Sequence, residues 1–228
     1  MNNSHNTQIE TTSLERMMFD FAKRYGLDEV RIFDDLLIYI IHSFSPGAPP
    51  LKTWHYSQEQ TQWFYNMYCA WVSIMDKNIH DKGWFDAFGD IYMSIVSASG
   101  RKYNGQFFTP INICGLMVQL ASTGKHKPEN HKRERISDPT CGSGRLLLAY
   151  HAISGGNYLI GEDINYSCCM MTVCNFLIHG CVGEVICHNS LLPDSFTAGW
   201  YVNPSLNLTG IPTIRTMSRN EFMQRFNQ

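Results

Sequence analysis

Apolar residues recur at helical spacing through the first hundred positions. Phe33, Leu36, Leu37, Ile40, Ile41 and Phe44 form one stripe. Phe64, Met67, Trp71 and Ile74 form a second, widened by Tyr68 and Met75. Ser45-Pro-Gly-Ala-Pro-Pro50 separates them as a turn. Ser13 with Arg16, and Asp28 ahead of an apolar run, read as further helix starts. These features predict a helical domain over residues 11–100, preceded by a polar, disordered tail at 1–10. The aromatic stripes read as core.

Beyond a junction near Ser99–Asn104 the pattern changes. Short apolar runs at 135–138, 158–163, 184–187 and 199–203 alternate with helical stretches, and 211–217 adds a candidate fifth. Strands alternating with helices predict an α/β fold with an open parallel sheet over residues 101–228.

The most informative stretch is Ile136-Ser-Asp-Pro-Thr-Cys-Gly-Ser-Gly-Arg-Leu-Leu-Leu148. It reads as a strand, a glycine turn and a helix start. Gly142 and Gly144 let backbone approach a ligand, and Asp138 adds a carboxylate at the strand end. No Lys-Ser/Thr follows the glycines, which excludes a phosphate-cradling loop. The third glycine of a dinucleotide fingerprint would fall at Leu147. The next strand, Asn157-Tyr-Leu-Ile-Gly-Glu-Asp163, ends in two acids. An acid there can accept hydrogen bonds from a ribose, with Asp163 the better candidate and Glu162 the reserve.

Gly105-Gln-Phe-Phe-Thr-Pro110 followed by Asp138-Pro-Thr-Cys-Gly-Ser-Gly144 resembles the adenine-specific (N6) DNA methyltransferases, closest to the modification subunit of type I restriction-modification systems. Trp84–Tyr92 is similar to the segment that precedes the first motif there, and Gly161-Glu-Asp-Ile-Asn165 to the second strand. The likeness covers roughly residues 84 to 206. It implies a helical domain followed by a Rossmann-like sheet, S-adenosyl-L-methionine as cofactor, and methyl transfer to the exocyclic amine of adenine. By position it implies that Asp138, Thr140, Gly142 and Gly144 hold the methionine end, and that Phe108, Thr109 and Pro110 close over it. It implies that Asp163 takes the ribose, that Ile164 beside it also belongs to the cofactor site, and that Asn189 stands where an Asp usually meets the cofactor adenine.

The resemblance weakens at the catalytic tetrapeptide, Asn or Asp, Pro, Pro, Tyr or Phe. Asn203-Pro-Ser-Leu206 is the nearest match. Asn203 and the Pro204 carbonyl can accept hydrogen bonds from a target amine, but Leu206 replaces the aromatic that stacks on a flipped base. A plain Asn-Pro turn accounts for the same residues. With 22 residues after Leu206, the implied sheet lacks its last strands, to be covered by the N-terminal helices or by a second chain. Two outcomes stay open: an active adenine methyltransferase, or a catalytically silent cofactor-binding partner in a DNA-modification assembly. Protein or RNA methylation is a third, disfavoured by the helical domain ahead of Gln106–Pro110.

Composition narrows the setting. The most apolar run, Leu36–Ile41, is too short to span a bilayer, and the chain lacks a secretory signal pattern. Eight cysteines without paired C-x-x-C spacings suit reduced thiols in a cytoplasm and match no zinc motif, so no metal is expected. Net charge is −2, and the one basic stretch, Lys125–Arg135, is diluted by Glu129 and Glu134. Weak intrinsic affinity for double-stranded DNA follows. The type I resemblance implies that a specificity subunit or second chain supplies sequence reading.

Overall fold

The computed structural model describes residues 3–52, 54–98, 108–122, 133–192 and 194–225. The chain divides into two units, one of Met1–Ser43 with Gly47–Gln106, the other of Phe44–Pro46 with Phe107–Gln228.

The first unit holds four helices, α1 (Asn3–Tyr25), α2 (Glu29–Ser43), α3 (Gln58–Lys82) and α4 (Ala87–Ala98). Its core takes both predicted stripes except Phe44, which belongs to the second unit: Phe33, Leu36, Leu37, Ile40, Phe64, Met67 and Trp71 are fully buried with Leu14, Met18 and Phe21 of α1. Trp71 stacks on Phe88 at 4.9 Å. Ser57 opens α3 with a reciprocal capping box to Gln60, and Gly83 closes it in the left-handed region. Asp28 precedes α2 and accepts from the Arg31 amide, as expected of a cap. Ser13, in contrast, lies inside α1, which takes in most of the polar stretch 1–10 predicted to be disordered. No Gly or Pro interrupts Asn3–Tyr25, so the buried stripe at Leu14, Met18 and Phe21 carries one continuous helix.

The second unit begins with α5 (Ile111–Ser122), then β1 (Arg135–Asp138), α6 (Arg145–Ile153), β2 (Tyr158–Asp163), α7 (Tyr166–Ile178), β3 (Val182–Cys187), β4 (Ala198–Val202), α8 (Leu206–Thr209), β5 (Ile214–Thr216) and α9 (Arg219–Gln224). The sheet order is β1-β2-β3-β4-β5. The first three strands are parallel and joined by helices, the Rossmann-like part expected. β4 runs antiparallel to both its neighbours, β3 and β5, which corrects the expectation of a parallel sheet throughout. The reason lies in the connection. Only residues 188–197 separate β3 from β4, without a helix, and a parallel crossover needs a dozen or more. The chain therefore reverses.

α7 covers one sheet face. A side chain added at Gly161 would meet Thr172 of this helix at 3.2 Å. On the other face Ile186 packs with Met217 and Phe222 of α9, joined by Phe196, Tyr201 and Met223. All seven cysteines of this unit are buried, whereas Cys69 of the helical unit is exposed. Burial pushes the Cys174 and Cys181 thiols well above their ordinary range, which keeps them as inert packing groups. Among the described residues no helix is long and apolar enough to cross a membrane.

Candidate cofactor site

β1 ends at Asp138, and the chain turns immediately. Asp138 Oδ1 accepts from the Thr140 amide at 3.1 Å, and the Cys141 amide donates to the Glu162 carbonyl at 2.8 Å. Gly142 (φ 56°) and Gly144 (φ 87°) occupy the left-handed region, where a side chain is strained. A β-carbon at Gly142 would also lie 3.0 Å from the Phe108 ring, and one at Gly144 3.0 Å from Thr172. Both glycines are therefore required twice over. Gly144 opens α6 without a side-chain cap, leaving the helix start to the cleft.

Asp163 ties the two strand ends together. Its Oδ2 accepts from the Gly142 amide at 2.9 Å and its Oδ1 from the Asn165 amide at 2.8 Å. Each carboxylate oxygen retains a free lone pair for a further donor. Burial, with Asp163 nearby, raises the Asp138 carboxyl above the usual range. Two carboxylates flanking one glycine turn favour a cation beside them.

Phe108-Thr109-Pro110 lies across this turn. The Phe108 ring meets Gly142, and the Pro110 carbonyl starts α5 by accepting from the Ile113 and Cys114 amides. Ile164, just past Asp163, is 71% exposed and offers an apolar platform. Asn189 follows β3; its Oδ1 accepts from the Leu191 amide at 3.0 Å, and the neighbouring Ser190 hydroxyl donates to the Pro139 carbonyl at 2.9 Å. The structure thus gathers Phe108, Thr109, Pro110, Asp138, Thr140, Gly142, Gly144, Asp163, Ile164 and Asn189 at the carboxyl ends of β1–β3, where open α/β sheets bind ligands. Gly105–Phe107 of the first motif and 125–132 of the basic stretch lie outside the described residues.

Asn203, Pro204 and Leu206 are not brought to this cleft. β4 runs antiparallel, so Val202 pairs with Gly183 at the start of β3. At about 3.3 Å per strand residue, Asn203 stands roughly 15 Å away, at the opposite end of the sheet. It is fully buried. Its Nδ2 faces the Phe176, Leu177 and Cys181 carbonyls at 3.2, 3.4 and 2.9 Å, and its Oδ1 accepts from the Thr213 amide at 3.2 Å. Asn203 therefore caps the end of α7 and locks the β4–β5 connection, with φ 54° suited to Asn. Pro204 is exposed, and Leu206 packs toward Gly180. As arranged, these residues make the Asn-Pro turn.

Three site residues escape a motif reading. Thr172 donates to the Gly142 carbonyl at 2.8 Å and Asn175 to the Ser143 carbonyl at 2.8 Å, mooring the turn to α7. Their signal is two polar residues within the otherwise apolar run Cys168–Leu177, which must find partners when buried. Arg145 stacks over Phe108 at 5.6 Å and donates to the Thr109 carbonyl at 3.4 Å. A cation in the first turn of a helix opposes the dipole, which marks it for another purpose.

Sheet, glycine turn and strand-end acids together define a methyltransferase-type α/β protein. A class I S-adenosylmethionine-dependent methyltransferase structure from Listeria monocytogenes aligns with a TM-score of 0.52 and 13% identity, over 82% of this chain and 54% of that one, a likeness of fold. Residues 84–207 match the N-6 DNA Methylase family, and the chain belongs to it. The MjaVIII type I restriction enzyme methylase subunit of Methanocaldococcus jannaschii is 30% identical over 48% of this chain and 18% of its own length. The MpnII type I methylase subunit of Mycoplasma pneumoniae is 28% identical over 47% of this chain and 20% of its own. The chain thus spans about a fifth of the length of these relatives.

Proposed function

We propose that this chain binds S-adenosyl-L-methionine and serves methylation of the exocyclic amine of adenine in DNA. The observation that carries this reading is the turn held between Asp138 and Asp163 and overlaid by Phe108. The residues fit the cofactor: small where backbone must approach, anionic where a cationic amino-acid end would sit, and apolar at Ile164 where an adenine ring would lie. Asp138, Thr140, Gly142 and Gly144 would hold the methionine end, Asp163 the ribose, and Ile164 and Asn189 the base. Bound there, the cofactor supplies an electrophilic methyl group. Phe108, Thr109 and Pro110, pinned by Arg145, would exclude water above it.

Double-stranded DNA is the proposed substrate, met with the help of a specificity subunit or second chain. The relatives are named as subunits. A second reading, a cofactor-binding partner that does not itself transfer methyl groups, is favoured by one observation: Asn203 is consumed in a structural turn.

Titration calorimetry with S-adenosylmethionine tests the first step, and labelled-methyl incorporation into adenine of duplex DNA the second. Binding with label supports methyl transfer by this chain. Binding without label supports the partner reading, and absence of binding overturns both. Because Asp138 is raised by burial, cofactor affinity should be full above that raised value and fall as pH drops through it. Calorimetry across that range checks the sign, and Asp138→Asn should flatten the profile.

A further inference from the structure

The sheet face that carries α9 also carries a row of side chains across all five strands, in which Tyr201 packs partly against the α9 cluster and Arg225 at the end of α9 reaches Glu184 at 3.0 Å. Registered pairs place Arg135 of β1 beside Tyr158 of β2, Glu184 of β3 beside Tyr201 of β4, and Tyr201 beside Arg215 of β5. The Arg135 guanidinium lies 4.9 Å from the Tyr158 ring centre, with Arg133 at 5.6 Å, and that of Arg215 lies 4.3 Å from Tyr201. The arginine side chains at the two edges are 63% and 55% exposed, whereas the tyrosines are half-buried and held in place. The central acid does not repel an anion. Glu184 is buried and satisfied by Arg135 at 3.1 Å, Arg225 at 3.0 Å and the Tyr158 hydroxyl at 3.2 Å. Glu221 accepts from Arg215 at 2.7 Å, and the arginine side chain remains 55% exposed.

We infer that this face binds a single strand of nucleic acid. Two tyrosines two strands apart and two residues out of register stand about 12 Å from one another, and guanidinium planes stacked on them extend each platform. Unpaired bases stack on such rings and planes, while cations at both edges follow the backbone. A duplex hides its base faces and would meet only the edge arginines. A protein partner would demand an apolar centre depleted of charge, and this centre is ionic. The inference stands apart from the cofactor reading, because none of these residues belongs to the glycine turn.

Fluorescence anisotropy of the full chain tests it. The probes are a labelled oligodeoxyuridylate and oligouridylate of about a dozen nucleotides, and a blunt duplex of similar length. Single strands should bind more tightly than duplex, and whichever of the two single strands binds better identifies the preferred sugar. Tyr201→Ala should weaken binding roughly tenfold, whereas Tyr201→Phe, which keeps the ring, should not. Arg215→Ala should lower the slope of log affinity against log salt by roughly 0.7. Thermal melting confirms that each variant is folded. Absence of single-strand binding, equal affinity for duplex, full retention in folded Tyr201→Ala, or equal displacement by polyglutamate would each overturn the inference.

Discussion

Replacing Asn203 by Ala is expected to lower the stability of the α/β unit by about 3 kcal/mol while leaving S-adenosylmethionine affinity unchanged. The substitution strips a buried amide from the carbonyls at the end of α7 and from the Thr213 amide. Each orphaned backbone group costs about 1–3 kcal/mol, and alanine is additionally disfavoured at φ 54°. Partial relaxation of the exposed β4–β5 connection brings the total toward the lower end. The melting temperature should drop by about 10 °C. Asn203→Asp keeps the acceptor for Thr213 but turns a buried carboxylate oxygen onto the three carbonyls, so at neutral pH it should be at least as destabilising as Ala and recover in part when protonated in acid. The opposite outcome is just as clear. A variant with unchanged melting and abolished methyl transfer would return Asn203 to the role that the tetrapeptide of the family implies.

Asp163→Ala should weaken S-adenosylmethionine binding by one to two orders of magnitude. A hydrogen bond to a charged acceptor contributes about 1.5–3 kcal/mol, and this carboxylate also fixes the Gly142 amide at 2.9 Å. Its loss removes the proposed ribose acceptor and loosens the turn together. Asp163→Asn separates the two, since one amide oxygen still tethers the backbone while the charge is gone. The Ala variant should therefore bind more weakly than the Asn variant, and both more weakly than wild type. Unchanged affinity by calorimetry in Asp163→Ala would remove the ribose assignment.

The cofactor half of the site was legible because its demands are local. A glycine needed for close approach and an acid at a strand end leave their mark within a few residues, as at Asp138–Gly144 and Asp163. The helical cores were legible for the same reason, since the stripe from Phe33 to Ile41 specifies its own period. The direction of β4 is a different matter. Its apolar run, Trp200–Val202, fits either direction, and only the short helix-free connection from His188 to Thr197 decides it. Reading Asn203 as part of the cleft required β4 to be parallel. Arg145, Thr172 and Asn175 were hidden for a third reason: their partners are main-chain groups, which any sequence possesses.

The distribution of the thiols gives the two units separate reporters. Seven cysteines sit buried in the α/β unit and one, Cys69, lies exposed in the helical unit. A thiol-specific reagent applied to the folded chain modifies Cys69 at once and afterwards advances only as the sheet unit opens. The slow phase then measures the opening free energy of the cofactor-site unit alone, without an added label. Ligand that binds the glycine turn slows that phase in proportion to its occupancy, while leaving the Cys69 phase untouched.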